Sequence, residues 1–213
     1  MINLLISCDQ SYYELWGETC LKSIQKFSPA VKLHANIVNA TKIEELPGVK
    51  YHYDSQEFSS EDHRIGYLQC SRFIKSAELF QNKEPVVTID CDTICWREIT
   101  VEQWNRLSSN IYVLRHHKKP RWLAGLVSFG RDNSFREDLK KRLLEFPFDR
   151  LRSGIDQKVL RNLSETYEFH ETIVGDIMSF YRGHAPLVTF KGEQKDHKES
   201  MLHYHTVKRS LGL

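Results

Sequence analysis

The segment Pro85-Val86-Val87-Thr88-Ile89-Asp90-Cys91-Asp92-Thr93 constrains this chain more than any other. A short β-branched run that ends in two carboxylates reads as a buried strand whose charge begins where it leaves the core. Residues i and i+2 of an extended segment point the same way, so Asp90 and Asp92 converge. Carboxylates that close repel unless one is protonated or a cation bridges them, and Mg²⁺ or Mn²⁺, hard ions that prefer oxygen ligands, are the natural bridge. A free-standing Asp-x-Asp also occurs in solvated turns. Its place at the carboxyl end of a buried strand, where open α/β sheets bind ligands, favours a metal or phosphate role.

The segments before this strand predict its neighbours. Ile2 to Asp9 is a buried strand closing on a carboxylate. Ser11-Tyr12-Tyr13-Glu14 matches a capping box, opening a helix that points Leu15, Cys20, Leu21, Ile24 and Phe27 inward until Ser28-Pro29. From Val31 to Asn39, Leu33, Ala35 and Ile37 alternate with Lys32, His34 and Asn36, which predicts a half-buried strand. Strand, helix, strand is the βαβ signature of a mostly parallel sheet with right-handed crossovers. Residues 41–60 read as loop with a short edge strand near Val49 to Tyr53. In the next helix Cys70, Phe73, Ile74, Ala77 and Phe80 share one face, leaving Arg72, Lys75 and Glu78 on others, with Arg72 and Lys75 spaced to reach one region.

Beyond Asp92, Thr100-Val101-Glu102-Gln103 repeats the capping-box pattern, and Asn110 to Arg115 and Trp122 to Gly130 read as strands. Gly125 marks a bulge or a close approach by a ligand or another backbone. Ser134-Phe135-Arg136-Glu137 starts a helix of exposed charges with Leu139, Leu143 and Leu144 inward, ended by Pro147; Gly154-Ile155-Asp156-Gln157 precedes a shorter one. Short strands follow at Tyr167 to His170, Ile177 to Tyr181 and Leu187 to Phe190. The Lys-, His- and Gly-rich stretch from Lys191 to His197 reads as a loop over the sheet.

The 213 residues suffice for one domain spanning residues 1–213. A formal charge of +2 argues against nucleic acid as a partner, and the basic run His116 to Arg121 reads as a solvated loop. Cys8, Cys20, Cys70, Cys91 and Cys95 fit neither a disulfide framework nor a zinc site and read as reduced core thiols. With no membrane span or leader pattern, the expected location is the cytoplasm.

In this order the motifs resemble the GT-A fold nucleotide-diphospho-sugar glycosyltransferases, loosely the family 8 type. The resemblance runs through Asp9 with its nearby tyrosines, the helix bearing Arg72, the Asp90/Asp92 strand, Ala124-Gly125, Asp156-Gln157 and the Lys191-Gly192 to Lys195 segment. It implies a GT-A-like α/β domain and a metal-dependent transferase that moves a sugar from a nucleotide diphosphate sugar, UDP-sugar favoured, to a saccharide, lipid or protein acceptor. By that resemblance Asp90 and Asp92 hold Mn²⁺ or Mg²⁺ on the diphosphate, with Asp90 contacting metal or ribose. Asp9 and Tyr12 or Tyr13 frame the base, and Arg72, Lys191, Gly192 and Lys195 take the donor's phosphates. Asp156 and Gln157 stand near the anomeric carbon and the acceptor, for a retaining or an inverting outcome. The pattern departs at Thr189, where a metal-binding histidine is usual and which leaves His184, His197, His203 or His205 as substitutes, and at Leu123, where an asparagine is common.

Three other readings compete. A haloacid dehalogenase-type phosphotransferase places its Asp-x-Asp on the first strand, whereas a βαβ unit precedes Asp90 here. A sugar-phosphate nucleotidyltransferase carries a glycine-rich loop after its first strand, and Ser7 to Ser11 contains no glycine. A non-catalytic nucleotide-sugar or carbohydrate binding module on the same fold is the remaining alternative.

Overall fold

The computed structural model describes residues 1–80, 84–115, 122–146, 154–173, 177–180, 185–190 and 198–213. The first strand, β1 (Ile2–Asp9), runs into a single helical turn, α1 (Gln10–Tyr12), then a π-helical turn at Tyr13–Gly17, and then α2 (Glu18–Phe27). Next come β2 (Val31–Val38), β3 (Val49–Asp54), the long helix α3 (Glu61–Leu79), β4 (Val86–Ile89), β5 (Thr93–Cys95) and α4 (Val101–Ser109). The remainder supplies β6 (Ile111–Arg115), β7 (Trp122–Phe129), α5 (Asn133–Leu144), α6 (Ile155–Leu163), β8 (His170–Ile173), β9 (Met178–Phe180), β10 (Leu187–Thr189) and α7 (Lys198–Ser210).

Seven strands form the main sheet in the order β3-β2-β1-β4-β7-β6-β8. The β3-β2-β1-β4 half is parallel, β7 is antiparallel to both its neighbours, and β6 and β8 are parallel. The predicted mostly parallel α/β architecture with flanking helices is what forms. Alternate residues of β1 feed two cores: Leu4, Ile6 and Cys8 pack with Cys20, Leu21 and Ile24 of α2, while Leu5 packs with Cys70, Phe73 and Ile74 of α3. A smaller sheet, β5-β10-β9, continues from the Asp-x-Asp turn. It is covered by Tyr204 and Val207 of α7, which pack on Trp16 and Phe190.

Several local expectations are corrected. The first helix is capped not by Ser11 but by Asp9, whose Oδ1 accepts from the Tyr12 amide at 2.8 Å, so the chain turns two residues earlier; Leu15, expected inside, lies 58% exposed in the π-helical turn that follows. His34 and Asn36 are buried because β2 is covered on both faces. There Asn36 donates to Ser7 Oγ at 2.9 Å, and Ser7 shares a 2.7 Å bond with Ser71 of α3. Helix α5 is capped by Asp132 rather than Ser134, which buries Arg136 and leaves Leu144 exposed. The capping box at Thr100 and Gln103 forms with both of its reciprocal bonds. Helix α7 arises where the sequence pattern signalled no helix. All five cysteines are free and buried, and no described helix is long and apolar enough to cross a membrane.

Candidate active site

The carboxyl ends of β1 and β4, the cleft-facing side of α3 and the start of α6 enclose a cleft of about 1190 Å³. Asp9, Tyr12, Arg72, Asp90, Asp92, Asp156 and Gln157 all line it. Residues far apart in sequence meet because parallel strands end on the same side of the sheet, and helix termini gather there.

Asp90 and Asp92 flank Cys91 in the turn between β4 and β5. The Asp90 amide donates to Gly125 O at 3.1 Å, and the Thr93 amide returns to Asp90 O at 3.2 Å, which fixes the turn. Gly125 belongs to a bulge: β6 pairs Val113 with Val127 but Leu114 with Leu123, so three residues of β7 are spanned in one step. The bulge re-aims backbone carbonyls toward the cleft, and Ala124 O accepts from Arg72 Nη2 at 3.0 Å. The same Nη2 lies 2.9 Å from Asp90 Oδ1 and 3.6 Å from Asp156 Oδ2. Arg72 is therefore buried inside a carboxylate pair rather than on a solvated face. Burial opposes its charge, and Asp90 and Asp156 more than offset that, holding the guanidinium above its ordinary pKa.

Asp92 is buried and held from two sides. Tyr12 donates its hydroxyl to Oδ2 at 2.9 Å, and Thr189 of β10 donates to Oδ1 at 3.2 Å. Burial and then the Asp92 charge push the Tyr12 phenol far above its usual range, so it acts as a neutral donor. Asp156 follows the left-handed Gly154 at the start of α6, and the Gln157 amide donates to its Oδ1 at 2.8 Å.

As a cation site, Asp90 and Asp92 offer hard oxygen donors of the type Mg²⁺ and Mn²⁺ take. No third His, Cys, Asp or Glu among the described residues joins them. Thr189 fills the expected histidine's position against Asp92 with a hydroxyl. Such a donor set fits an ion that takes its remaining ligands from substrate phosphates and water, as Mg²⁺ commonly does.

Not every predicted residue reaches the cleft. Tyr13 is turned into the core, bonded to the Tyr51 hydroxyl at 2.6 Å. Lys75 parts from Arg72 to pair with Glu78 at 2.9 Å and Asp54 at 3.3 Å. Lys191, Gly192, Lys195, His184, His197, Pro147 and the 116–121 run lie outside the described residues, as does the His203 side chain. Conversely, Arg64, Gln69, Lys158 and Arg161 line the cleft and went unremarked in the sequence. Arg64 pairs with both Asp9 and Glu61. Ser60, which caps α3 by accepting from the His63 amide at 3.1 Å, was the signal that would have placed Arg64 in its first turn.

No protein-family model matches the chain, and no curated protein matches it by sequence. Solved structures do. The galactosyltransferase LgtC, solved with donor and acceptor sugar analogues, superposes with a TM-score of 0.68 at 11% identity, covering 99% of this chain and 96% of that one. The chain has a glycosyltransferase fold. GlyE, a glycosyltransferase of Streptococcus pneumoniae TIGR4, matches with a TM-score of 0.54 at 15% identity over 80% of this chain, which spans 44% of GlyE.

Proposed function

We propose that the chain is a glycosyltransferase that takes a nucleotide diphosphate sugar, UDP-sugar favoured, as donor and a divalent cation, Mn²⁺ or Mg²⁺, as cofactor. The observation that carries this reading is the placement of Asp90 and Asp92 at the carboxyl end of β4 in the cleft, with Arg72 linking Asp90 to Asp156. The likeness in fold to LgtC and GlyE supports it.

Asp90 and Asp92 would hold the cation, which when bound neutralises charge on the diphosphate. Tyr12 offers a ring at the cleft wall and orients Asp92 through its hydroxyl. Arg72, which meets Asp90, Asp156 and Ala124 O through one Nη2, would position both acids and, on the sequence resemblance, contact the donor's phosphates. Asp156, ion-paired and hydrogen-bonded at a helix start, suits electrostatic stabilisation of positive charge at the sugar's anomeric carbon. Gln157 beside it lines the same cleft and would meet sugar hydroxyls. Lys191, Gly192 and Lys195 remain proposed phosphate contacts on the sequence resemblance alone.

Thermal unfolding against UDP, GDP, ADP and CDP, each with and without Mn²⁺, tests the reading. A ligand that binds only the folded state adds about 2.7 kcal/mol at a hundredfold excess over Kd. A Mn²⁺-dependent upward shift with one diphosphate is expected. Silence from all four, with Mn²⁺ and without, reduces the reading to a likeness of fold and favours the binding-module alternative.

A further inference from the structure

The wall of the cleft built by α6 carries two cations that the donor site as described does not use. Lys158 and Arg161 both line the cleft, both are exposed, and neither makes an ion pair with a described residue. Lys158 lies over the Phe146 ring at 5.7 Å, a contact that leaves its ammonium able to donate. Spaced i, i+3, they share a face of α6. At 1.5 Å per residue they stand about 3 Å and about 7.5 Å along the axis beyond Asp156, turned to another face of the helix that also lines the cleft. The acids Asp90, Asp92 and Asp156 gather at one end of α6, whereas these cations lie farther along it.

Resting on the glycosyltransferase reading, we infer that the acceptor is anionic: Lys158 and Arg161 hold a phosphate or carboxylate on the sugar whose hydroxyl is presented beside Asp156. An ammonium and a guanidinium together form charge-assisted bonds to such a group, the guanidinium as a planar fork. A neutral saccharide leaves both without a partner.

Calorimetric titration of the full chain with glucose 6-phosphate, glucuronic acid, glucose and inorganic phosphate tests this, alone and with UDP plus Mn²⁺ present. At least one anionic sugar should bind about tenfold more tightly than glucose, as two charge-assisted contacts allow, and more tightly than inorganic phosphate. The Lys158→Gln/Arg161→Gln double variant should lose that advantage and its salt dependence. UDP with Mn²⁺ should leave the anionic sugar bound. Equal affinity for glucose and both anionic sugars, or no effect of the double variant, overturns the inference. Displacement of the anionic sugar by UDP–Mn²⁺ also overturns it, because the cations then serve the donor. Failure of every nucleoside diphosphate to bind is a separate result that bears on the donor reading.

Discussion

Arg72 on α3 donates to Asp90 at the end of β4 at 2.9 Å, and one buried guanidinium thereby fixes a carboxylate of the Asp-x-Asp turn. Through the same Nη2 it stands 3.6 Å from Asp156, so β4 and α6 are held in register by one side chain. Removing one partner of a buried charge network leaves the others uncompensated. Arg72→Ala is therefore expected to cost about 3–5 kcal/mol of stability and to weaken donor binding as Asp90 and Asp156 separate. Urea denaturation with and without the diphosphate that shifts the wild type measures both. An unaltered donor Kd would detach Arg72 from the site.

The two acids of the turn should fail together under one condition. Asp90→Ala and Asp92→Ala are each expected to remove the Mn²⁺-dependent part of the diphosphate shift while leaving a folded protein. Asp90→Ala also takes a carboxylate from the buried Arg72, so it should be the less stable of the two; Asp92→Ala takes an acceptor from the hydroxyls of Tyr12 and Thr189, neutral groups that tolerate loss of a partner better than a buried charge. Manganese titration followed by electron paramagnetic resonance reads the ion directly. Retained Mn²⁺ affinity in both variants would dismiss the pair as ligands.

Away from the cleft, His34 on β2 forecasts a pH dependence. Asn3 Oδ1 accepts at 3.1 Å from its Nε2–H, which leaves Nδ1 to accept from His52 Nε2–H at 3.2 Å. A proton added to His34 Nδ1 would face that N–H. Burial first, then His52, Lys50 and Lys32, push the His34 pKa down to about 4 from 6.5, and His52 is lowered too. Between those values the unfolded chain takes up a proton that the folded one refuses, so this pair's contribution is full above pH 6.5 and is lost as pH falls toward 4. Denaturation curves of wild type and His34→Gln across that window should differ in slope, the variant being flatter. Parallel slopes would remove His34 from the account.

How far the sequence disclosed this molecule depended on the kind of signal. The β1–α2–β2 unit and the Asp-x-Asp strand were legible because hydrophobic runs of strand length do not need distant partners to be recognised. His34 and Asn36 were misassigned to solvent for the opposite reason: what buries them is a second layer of helices, and what satisfies them is a side chain far along the chain, Ser7 for Asn36 and Asn3 for His34. At the site, Asp9, Asp90, Asp92 and Asp156 were readable as strand-end or helix-start acids. The position of Arg72 between two of them was not, since helical spacing alone leaves its direction open. Leu15 and Tyr13 exchanged roles with their expected ones because a π-helical turn at Tyr13–Gly17 shifts the helical phase, and no residue type signals that.

Gly154 tests whether the entry to α6 governs the site. It caps that helix at φ 98°, in the left-handed region, two residues before Asp156. A Cβ built there meets nothing within 4 Å, so any penalty of substitution comes from the backbone and not from a clash. Gly154→Ala is expected to cost about 1–2 kcal/mol, the usual price of a left-handed L-residue, and Gly154→Asn less, because asparagine tolerates that region. The local cost can be relieved by unwinding the first turn of α6, which would carry Asp156 away from Arg72. Diphosphate affinity should thus fall further in Gly154→Ala than in Gly154→Asn, in the same order as stability measured by urea denaturation. Equal stability in all three proteins would show that the helix entry does not govern the site, and Asp156 would then be held by contacts such as those to Arg72 and the Gln157 amide.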